Sequence, residues 1–440
     1  MTGKKSINRR KFISSSAKAA GLAAAAVGAP GLLEARAAND TIGIGQIGIG
    51  TRGYEILNEA GASPNVQYRA ICDLYDGYIK RGVERISNPK LRTTKRYQEM
   101  LDSKDIDAVV IAVPDHWHYQ IAMDAVAAGK DIYLEKPFVN TLDQAKKLVK
   151  AVRDNKTVFQ LGHQGRSNPA VWKAREIVAR GTLGDIIHVR SQHYRNSMVP
   201  YLRWYGFYDN YEMPDDADLD HIDWDTFQAN VRKHPFHPFR FFHWRCYYDY
   251  TNGVAGDLLS HALDGINAII GMGIPETAVS TGGVYYWLDG RETPDTWNAV
   301  FDYPGQGLSI NYTSLSMSEN YGTGTQIMGK DAALDLSGRQ VKVFAEYLSD
   351  KYHDRVQEMR SRPDAGPGVE RREPIESYNP KVEPLESNHA HNWLTHVRDR
   401  GRTRGNIDTA WQEIVTVLMS YESFRRGRKV AWDKEKEIIV

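Results

Sequence analysis

The chain has 440 residues, of which 41% are hydrophobic and 25% charged, so it is long enough for two domains with their own cores. Its formal net charge is +1, and we therefore expect neither a nucleic-acid partner nor binding to an anionic surface. The two cysteines, Cys72 and Cys246, lie in different regions and form no zinc or redox motif, so we interpret both as structural residues.

The first 38 residues are predicted to be an export signal that is no part of the fold. Their basic start contains Arg9 and Arg10, and an Ala-rich stretch at 12–33 leads to an A-x-A cleavage pattern at 35–37. This stretch is too rich in small residues for a membrane anchor, which needs about 20 apolar residues. Because the Arg9-Arg10 pair resembles a twin-arginine signal, we expect export by that route to the periplasm without stable membrane insertion.

Residues 39–161 alternate short apolar strands with helices. Strands are predicted at residues 42–47, 68–72, 108–113, 132–134 and 158–161, and helices at 53–60, 118–128 and 142–153. Strands separated by helices are typical of a doubly wound parallel sheet, so we predict an N-terminal Rossmann domain in an α/β protein.

Residues 162–440 are predicted to form a second α/β domain. Helices are predicted at residues 172–180, 257–270, 393–400 and 409–425, and strands at 185–194, 282–288, 299–303, 307–315 and 326–328. This pattern indicates a large, mostly antiparallel sheet with helices on one side, which would bind substrate and support dimerisation. Residues 361–388 are rich in Pro, Glu and Arg and are predicted to run along the surface.

A G-x-G-x-x-G pattern occupies residues 48–53. The same spacing also fits one register earlier, but only the later register leaves a strand before the loop and a helix after it. We expect Gly48 to make a tight turn, Gly50 to admit a dinucleotide pyrophosphate, and Gly53 to let the helix pack on the strand. Thr51 and Arg52 lie in the loop just before the predicted helix, where the positive end of the helix dipole favours phosphates.

Asp73 ends the second predicted strand, twenty residues after the last glycine of this motif. A carboxylate at this position accepts hydrogen bonds from ribose hydroxyls and repels a 2′-phosphate, so it favours NAD over NADP. The alternative is a glycine-rich turn followed by an incidental Asp.

Two further predicted strands end in polar residues. Ligands bind at the carboxyl ends of parallel strands, so we predict Pro114, His118, Glu135 and Lys136 to contact the cofactor. Lys136 is also placed to give a proton or a hydrogen bond to a reacting hydroxyl. The alternatives are that Asp115 simply caps a helix and that Lys136 is a solvated surface residue.

The order G-x-G-x-x-G, Pro-x-x-x-His and Glu-Lys-Pro resembles the glucose-fructose oxidoreductase/inositol dehydrogenase family, usually called Gfo/Idh/MocA. The resemblance runs from about residue 42 to the C-terminus, and residues 253–264 look like the family's catalytic helix. It implies a nicotinamide cofactor and a sugar, inositol or related polyol as substrate. It also implies that Lys136, Asp257 and His261 carry the acid/base chemistry.

Asp257 and His261 are four residues apart on the predicted helix 257–270, so they share one face, which Asp264 continues. His261 can take a hydroxyl proton as a hydride leaves the carbon, and Asp257 can orient His261 or the substrate. The alternative is an Asp that caps the helix and a His inside the core.

An aromatic stretch without clear periodicity runs from residue 193 to residue 250. Its rings either stack on the C–H faces of sugars or pack as a subdomain or subunit contact, and both roles remain open. The rings include Trp204, Tyr205, Trp224, Phe239, Phe241, Phe242, Trp244, Tyr247 and Tyr248. The predicted substrate contacts are Arg166, Tyr194, Arg195 and Arg245.

Three pairs of His, at residues 116 and 118, 234 and 237, and 389 and 391, each offer two metal ligands. None of the pairs comes with a recognisable third and fourth ligand, so we predict no metal site.

The leading hypothesis is hydride transfer between a sugar or polyol carbinol and a tightly held nicotinamide. One alternative is a redox-neutral cycle in which transient oxidation permits elimination of a glycosidic bond; distant family members of that kind lack the Glu-Lys-Pro found here. Another is a periplasmic sugar-binding protein without chemistry, against which Lys136, Asp257 and His261 argue. We also expect a homo-oligomer, since open sheets of this family commonly pair.

Overall fold

The computed structural model describes residues 41–196, 200, 202–203 and 213–440. The predicted export signal, with Arg9 and Arg10, lies outside these residues, as do Trp204 and Tyr205 of the aromatic stretch. Within the described ranges, no helix is long and apolar enough to cross a membrane.

The first sheet has six parallel strands in the order β3-β2-β1-β4-β5-β6. Its strands are β1 (Ile42–Ile47), β2 (Val66–Cys72), β3 (Arg92–Thr94), β4 (Ala108–Ile111), β5 (Asp131–Leu134) and β6 (Phe159–Leu161). The helices between them are α1 (Thr51–Gly61), α2 (Asp76–Arg85), α3 (Tyr97–Leu101), α4 (Asp115–Ala127) and α5 (Leu142–Asp154). β1 is buried along its whole length, which explains its almost continuous apolar sequence, as in sheets covered on both faces. The predicted doubly wound parallel sheet is confirmed.

The second sheet has ten strands in the order β14-β13-β12-β11-β7-β10-β9-β8-β15-β16. These are β7 (Ile186–Tyr194), β8 (Thr277–Gly283), β9 (Thr296–Tyr303), β10 (Leu308–Leu315), β11 (Thr323–Gly329), β12 (Ala332–Ser337), β13 (Gln340–Ala345), β14 (Glu376–Tyr378), β15 (Val430–Asp433) and β16 (Ile438–Ile439). β7 and β10 are parallel, whereas the other neighbouring pairs are antiparallel. This confirms the large, mostly antiparallel sheet.

The strand predicted at 282–288 is wrong from residue 284 onward, because β8 begins at Thr277 and ends at Gly283. The buried carboxylate of Asp295 accepts hydrogen bonds from the amides of Tyr285, Tyr286 and Trp287 at 2.8–3.2 Å. A side chain therefore takes the amide donors that a neighbouring strand would otherwise use, and the chain turns away from the sheet.

The remaining helices are α6 (Pro169–Ala179), α7 (Trp224–Phe227), α8 (Pro238–Phe242), α9 (Ser260–Ile270), α10 (His353–Ser361), α11 (His389–Asp399) and α12 (Ile407–Arg426). A π-helical turn, Ala255–Leu259, leads directly into α9, so Asp257 lies just before the regular helix. α12 packs against α9 and β8 of the second domain and against α5 of the first. These contacts place the helix that carries His261 where the two halves of the protein meet.

Candidate active site

The loop between β1 and α1 has the backbone geometry of a phosphate-binding turn. Gly48 has a φ of +90°, and a Cβ atom there would lie 2.2 Å from the carbonyl oxygen of Ala112. A Cβ on Gly53 would lie 2.2 Å from the carbonyl oxygen of Gly48. At Gly50, by contrast, the nearest atom would be 3.6 Å away, and this residue lines the cleft. A tight turn, close helix packing and an open approach are what a bound pyrophosphate requires.

The start of α1 leaves room and charge for an anion. No side chain caps this helix, and its first turn holds no acidic residue, so the positive end of the helix dipole is not offset. The adjoining cleft has a volume of about 520 Å³, and Thr51, Arg52, Asp73 and Pro114 are among its walls. These residues fit a dinucleotide, whose phosphates would lie over the loop.

Arg52 ties the start of α1 to the end of β5. Its Nε donates to Oε1 of Glu135 at 3.0 Å, and its Nη1 donates to Glu55 and Glu59 at 2.8 and 2.9 Å. Burial disfavours the guanidinium, but these carboxylates, Glu135 foremost, outweigh burial and raise the pKa of Arg52. Arg52 therefore stays charged beside the cleft and anchors the residue that precedes Lys136.

Asp73 braces the glycine-rich loop as well as lining the cleft. Its Oδ2 accepts a hydrogen bond from the amide of Ile49 at 2.7 Å, and its Oδ1 accepts one from Tyr75 at 3.1 Å. Burial raises the pKa of Asp73 to about 6, although these backbone donors act in the opposite direction. Above that pH the carboxylate places a negative charge on the cleft wall.

In the segment after β4, Pro114 lies where the sequence predicts it, but His118 does not. Pro114 lines the cleft, but His118 is buried beside it, with Nδ1 2.7 Å from the Pro137 carbonyl and Nε2 3.0 Å from that of Val113. Burial lowers the pKa of His118 to about 4, so its ring is neutral at pH 7. His118 therefore joins the ends of β4 and β5 and does not reach the cleft.

Asp115 is also no helix cap. Its buried carboxylate accepts a hydrogen bond from the hydroxyl of Thr251 at 2.7 Å, and α4 has no side-chain cap. This contact joins the first domain to the segment that leads to Asp257.

Lys136 and Asp257 form a buried ion pair between the two domains. The Lys136 Nζ donates to Oδ1 of Asp257 at 2.7 Å and to its backbone carbonyl at 2.9 Å. Arg245 Nε lies 3.4 Å from the same Oδ1, and Arg245 also lines the cleft. Burial opposes ionisation of Asp257, but Lys136 and Arg245 outweigh it and lower its pKa. Its other oxygen, Oδ2, is buried and has no hydrogen-bond partner within the described part of the chain, which marks a position for a ligand donor.

His261 lies one helical turn after Asp257. Burial, followed by the positive charge of Lys136, lowers the pKa of His261 well below its ordinary value, so the ring is neutral at pH 7. Its Nδ1 lies 3.3 Å from Nδ1 of His163, which follows β6. The Nε2 atom is thus the nitrogen that remains for a substrate.

Arg166 does not lie in the position expected of a substrate contact. Its Nε donates to Asp264 at 2.6 Å, and its Nη1 donates to the backbone of Arg404. Both side chains of the Arg166–Asp264 pair are buried. The pair therefore holds α9 against the segment after β6, and Asp264 continues the polar face of the helix in a structural role.

His193, rather than Tyr194, faces the site. β7 pairs in register with β10, so His193 lies on the same face as Val189 and beside Ser314. Val189 is fully buried under the helices, and Asp257 acts electrostatically on the His193 ring. Tyr194, the next residue, points to the other face. Alternation along the strand is the sequence signal that identifies His193.

Several buried polar atoms on this face of the second sheet have no hydrogen-bond partner among the residues that the structure describes. They are Nε2 of His193 and the hydroxyls of Tyr312 and Ser314, in addition to Oδ2 of Asp257. Buried polar groups are normally paired, so a cluster of unpaired ones near an ion pair fits a ligand that carries several hydroxyls.

The aromatic stretch packs as a subdomain over the cleft. Phe241 and Phe242 make edge-on contacts with Tyr75, which follows β2, and Phe227 packs on Phe241. Further rings of this cluster are Trp224, Trp244 and Tyr250. Phe227, Phe241, Phe242 and Trp244 line the cleft. These six rings, Trp224, Phe227, Phe241, Phe242, Trp244 and Tyr250, are here called the aromatic cap. They pack against the first domain beside Asp73, which favours the subdomain interpretation for this part of the stretch, whereas Tyr248 lies against Tyr421.

The part of the chain that the structure describes has no group of three His, Cys, Asp or Glu side chains placed to hold a metal ion. Cys72 and Cys246 are both buried and free of a disulfide.

Comparison with known protein families agrees with this architecture. Residues 42–163 match the NAD-binding Rossmann-fold domain of the Gfo/Idh/MocA oxidoreductases, and residues 225–432 match the C-terminal α/β domain of the same family. Together the two matches cover well over half of the chain.

The names of two curated relatives describe different reactions. The glycosyl hydrolase family 109 protein 1 of Shewanella sp. (strain MR-4) is 29% identical over 175 residues, 38% of this chain and 36% of that protein. The inositol 2-dehydrogenase of Salmonella typhimurium is 26% identical over 162 residues, 36% of this chain and 48% of that protein. The chain thus matches only between a third and a half of the length of these relatives.

Solved structures share the fold over a longer range. Levoglucosan dehydrogenase in complex with NADH and levoglucosan has a TM-score of 0.64 at 17% identity, covering 89% of this chain and 99% of that chain. The WlbA dehydrogenase of Chromobacterium violaceum, in complex with NADH and UDP-GlcNAcA, has a TM-score of 0.66 at 15% identity, covering 92% and 99%. The two domain models of the family match this chain in the expected order, and the solved structures share its fold. The chain therefore belongs to the Gfo/Idh/MocA family of oxidoreductases.

Proposed function

We propose that this protein is an NAD-dependent oxidoreductase that moves a hydride between a carbinol of a sugar or polyol and a nicotinamide in the cleft. The observation that carries the proposal is the buried Lys136–Asp257 ion pair, with His261 one helical turn further along and near enough to Lys136 for its charge to lower the pKa of the ring. Arg245 links Asp257 to the cleft wall. The names of the inositol and levoglucosan dehydrogenases support this substrate class.

The glycine-rich loop, the start of α1 and Asp73 would hold the cofactor, and bound NAD would supply the hydride acceptor. The chain itself contributes the movement of the hydroxyl proton. His261 is neutral at pH 7, so its Nε2 can accept that proton as the C–H bond breaks. Because His163 occupies the Nδ1 side, the ring cannot turn its other nitrogen to the substrate without losing this contact.

Lys136 and Asp257 orient and stabilise the reacting oxygen. The charged Nζ of Lys136 is a donor for an oxygen that becomes negative as its proton leaves. Asp257 fixes this donor through Oδ1, while the unpaired Oδ2 can accept a hydrogen bond from a neighbouring substrate hydroxyl. The pair thus binds one hydroxyl and polarises the next.

The test follows the absorbance band of reduced nicotinamide while a panel of sugars and polyols is added to protein that carries NAD. We expect at least one compound to increase the band in the unmutated protein. Lys136→Ala should bind the same compound without the increase. Saturable binding without any redox change across the panel would contradict the proposal and favour a sugar-binding protein.

A second candidate is the redox-neutral cleavage of a glycosidic bond, which the match to glycosyl hydrolase family 109 proteins favours. An aryl glycoside with a coloured leaving group separates the two candidates. Release of the coloured group without net formation of reduced cofactor would establish cleavage, whereas reduced cofactor without release would establish dehydrogenation.

We further infer that the cofactor is NAD and that it stays bound between turnovers. Asp73 places a carboxylate on the cleft wall, where it would repel a 2′-phosphate. The aromatic cap covers the cleft from the second domain, which favours slow dissociation.

A further inference from the structure

A buried row of three titratable side chains begins at His261 and runs away from the cleft. Nδ1 of His261 lies 3.3 Å from Nδ1 of His163, and Nε2 of His163 lies 3.7 Å from Oε1 of Glu413 on α12. The side chains of His163 and Glu413 are 1% and 0% exposed. Three elements remote in the chain thus converge behind the proposed base.

The Glu413 carboxylate makes no hydrogen bond to any residue in the described ranges. Both of its oxygens and Nε2 of His163 are buried without a hydrogen-bond partner, and the pair is held at ion-pair distance. A purely structural carboxylate in this position would be costly, because a buried carboxylate is stable only when it is paired and hydrogen-bonded. The imidazole of His163 is thus the cation that Glu413 is placed to balance.

We propose that His163, balanced by Glu413, stores the proton that the substrate hydroxyl gives up to His261. This inference rests on the proposed function, since it takes His261 as the base.

The transfer balances without any further reactant. The substrate O–H bond breaks and an N–H bond forms at Nε2 of His261, while the N–H bond at Nδ1 of His261 breaks and one forms at Nδ1 of His163. His261 ends neutral in its other tautomer, and the positive charge ends on His163, facing Glu413. Reduction of the carbonyl product reverses each step. An enzyme that keeps its cofactor would therefore also keep the proton for the return reaction.

The neighbouring charges favour transfer of the proton from His261 to His163. Burial lowers the pKa of His163, but Asp264 and Glu413 outweigh it and raise the pKa above its ordinary value. For His261, burial and Lys136 lower the pKa, so a proton shared by the two rings favours His163. Burial raises the pKa of Glu413, whereas the neighbouring His163 acts in the opposite direction and favours the charged carboxylate.

Among the described residues, few charged or titratable groups of other elements face His163 and Glu413. They are Lys136 after β5, Arg166 and Asp264, which pair with each other, and His389 on α11. Burial lowers the pKa of His389 to about 3, so its ring stays neutral. Glu413 is therefore the carboxylate whose removal tests the store.

The first measurement is proton release during reduction of bound NAD by substrate, followed with an indicator dye in weak buffer. The pH is set above the raised pKa of His163, so that its ring is neutral and can accept the proton when the reaction starts. Proton release is compared with nicotinamide reduction on the time scale of the first turnover. We expect the unmutated protein to release well under one proton for each nicotinamide reduced, and Glu413→Gln to release about one. Full release by the unmutated protein, in step with reduction, would overturn the store and leave the proposed function intact.

The second measurement needs no substrate. ¹⁵N NMR of the His rings, assigned with His163→Gln, should show that Glu413→Gln lowers the titration midpoint of His163 by about one pH unit or more. The control is Thr416→Val, one turn further along α12, whose hydroxyl bonds the carbonyl of Gln412 in its own helix. A His163 midpoint that is equal in Glu413→Gln and Thr416→Val would overturn the store. If no sugar or polyol reduces bound NAD, the proposed function fails instead.

Discussion

His261 is the residue whose surroundings decide whether it can act as a base. An isolated His is partly charged near pH 6.5, and the charged form cannot accept a proton. Burial and the adjacent Lys136 lower the pKa of His261, so the neutral form persists to more acidic pH. Protonation of His261 itself should therefore slow oxidation only below the ordinary pKa of His, whereas protonation of His163, whose pKa is raised, should slow it at higher pH.

The first prediction concerns Lys136→Ala and His261→Ala. Each variant should bind NADH normally and lose turnover by ~10²–10⁴-fold, because each removes a group that moves or stabilises the transferred proton. Steady-state rates and NADH fluorescence titrations measure the two effects. His221→Ala, a surface His, is the control. Near-normal rates in both variants would remove the catalytic assignment.

The second prediction concerns Asp73 and its pKa of about 6. The carboxylate is charged above that pH and repels a 2′-phosphate, and it becomes neutral as the pH falls through 6. The unmutated protein should prefer NADH over NADPH above pH 6, and Asp73→Asn should narrow the preference there.

The 2′-phosphate of NADPH itself titrates near pH 6. Asp73→Asn lacks the carboxylate but binds the same phosphate, so it serves as the baseline for the pH dependence. The difference in NADPH affinity between the two proteins should shrink below pH 6, as measured by fluorescence titration at several pH values. Tighter binding of NADPH than NADH by the unmutated protein would show that the role given to Asp73 is wrong.

At the scale of elements, the loop from β1 to α1 contains one glycine that the fold requires and another that lines the proposed cofactor site. A Cβ at position 53 would meet a backbone oxygen at 2.2 Å, whereas a Cβ at position 50 would meet nothing within 3.6 Å and would extend into the cleft.

The third prediction uses this matched pair. Gly53→Ala should lower the thermal midpoint of unfolding, because backbone must move to accept the methyl group. Gly50→Ala should unfold at nearly the unmutated temperature and bind NADH at least tenfold more weakly, a loss of about 1.4 kcal/mol. Equal effects of both variants on stability would contradict the division of roles.

The aromatic cap is the second element whose role can be measured. Phe242 is 4% exposed and lines the cleft, whereas Phe301 is 0% exposed on β9 and lies outside the cleft lining. Both Phe→Ala changes remove a buried ring and should destabilise the fold by ~3–5 kcal/mol.

The fourth prediction is that only Phe242→Ala speeds the release of NADH, which stopped-flow displacement measures. The expected reason is that the cap holds the second domain against the cleft wall. Unchanged release in Phe242→Ala, or equally faster release in Phe301→Ala, would show that the cap does not retain the cofactor.

At the scale of the whole molecule, the expected export and the proposed retention of the cofactor depend on each other. A protein exported in the folded state reaches a compartment without an obvious NAD(H) pool, so it must carry its cofactor with it. The cleft between the glycine-rich loop and the aromatic cap is the structural basis of this expectation.

The fifth prediction is that protein recovered from the periplasm without added nucleotide releases nicotinamide nucleotide when it is denatured. Gly50→Ala should release little. Replacement of both Arg9 and Arg10 by Lys should leave the protein in the cytoplasm, since it removes the twin-arginine pattern. Empty exported protein that exchanges added NAD rapidly would contradict retention.

Much of the fold could be predicted because its strongest signals are local. β1 was predicted with the observed ends, and α12 within two residues at each end, because long apolar periods leave few alternatives. β3 and β14 were missed because their three residues are mostly polar and none is buried, whereas the equally short β6 is buried and mostly apolar. The end of β8 was misplaced because Asp295, a distant side chain, takes the amides of the following turn.

The sequence by itself determined what lies within one element or one turn. The spacing of the glycines decides the phosphate-binding loop, and the four-residue spacing of Asp257 and His261 puts them on successive turns, since helix and turn geometry are local. Only the tertiary structure decided partners from remote segments. It paired Arg166 with Asp264, turned Tyr194 to the far face of the sheet, and brought Glu413 to His163, because such contacts depend on how helices and sheets pack.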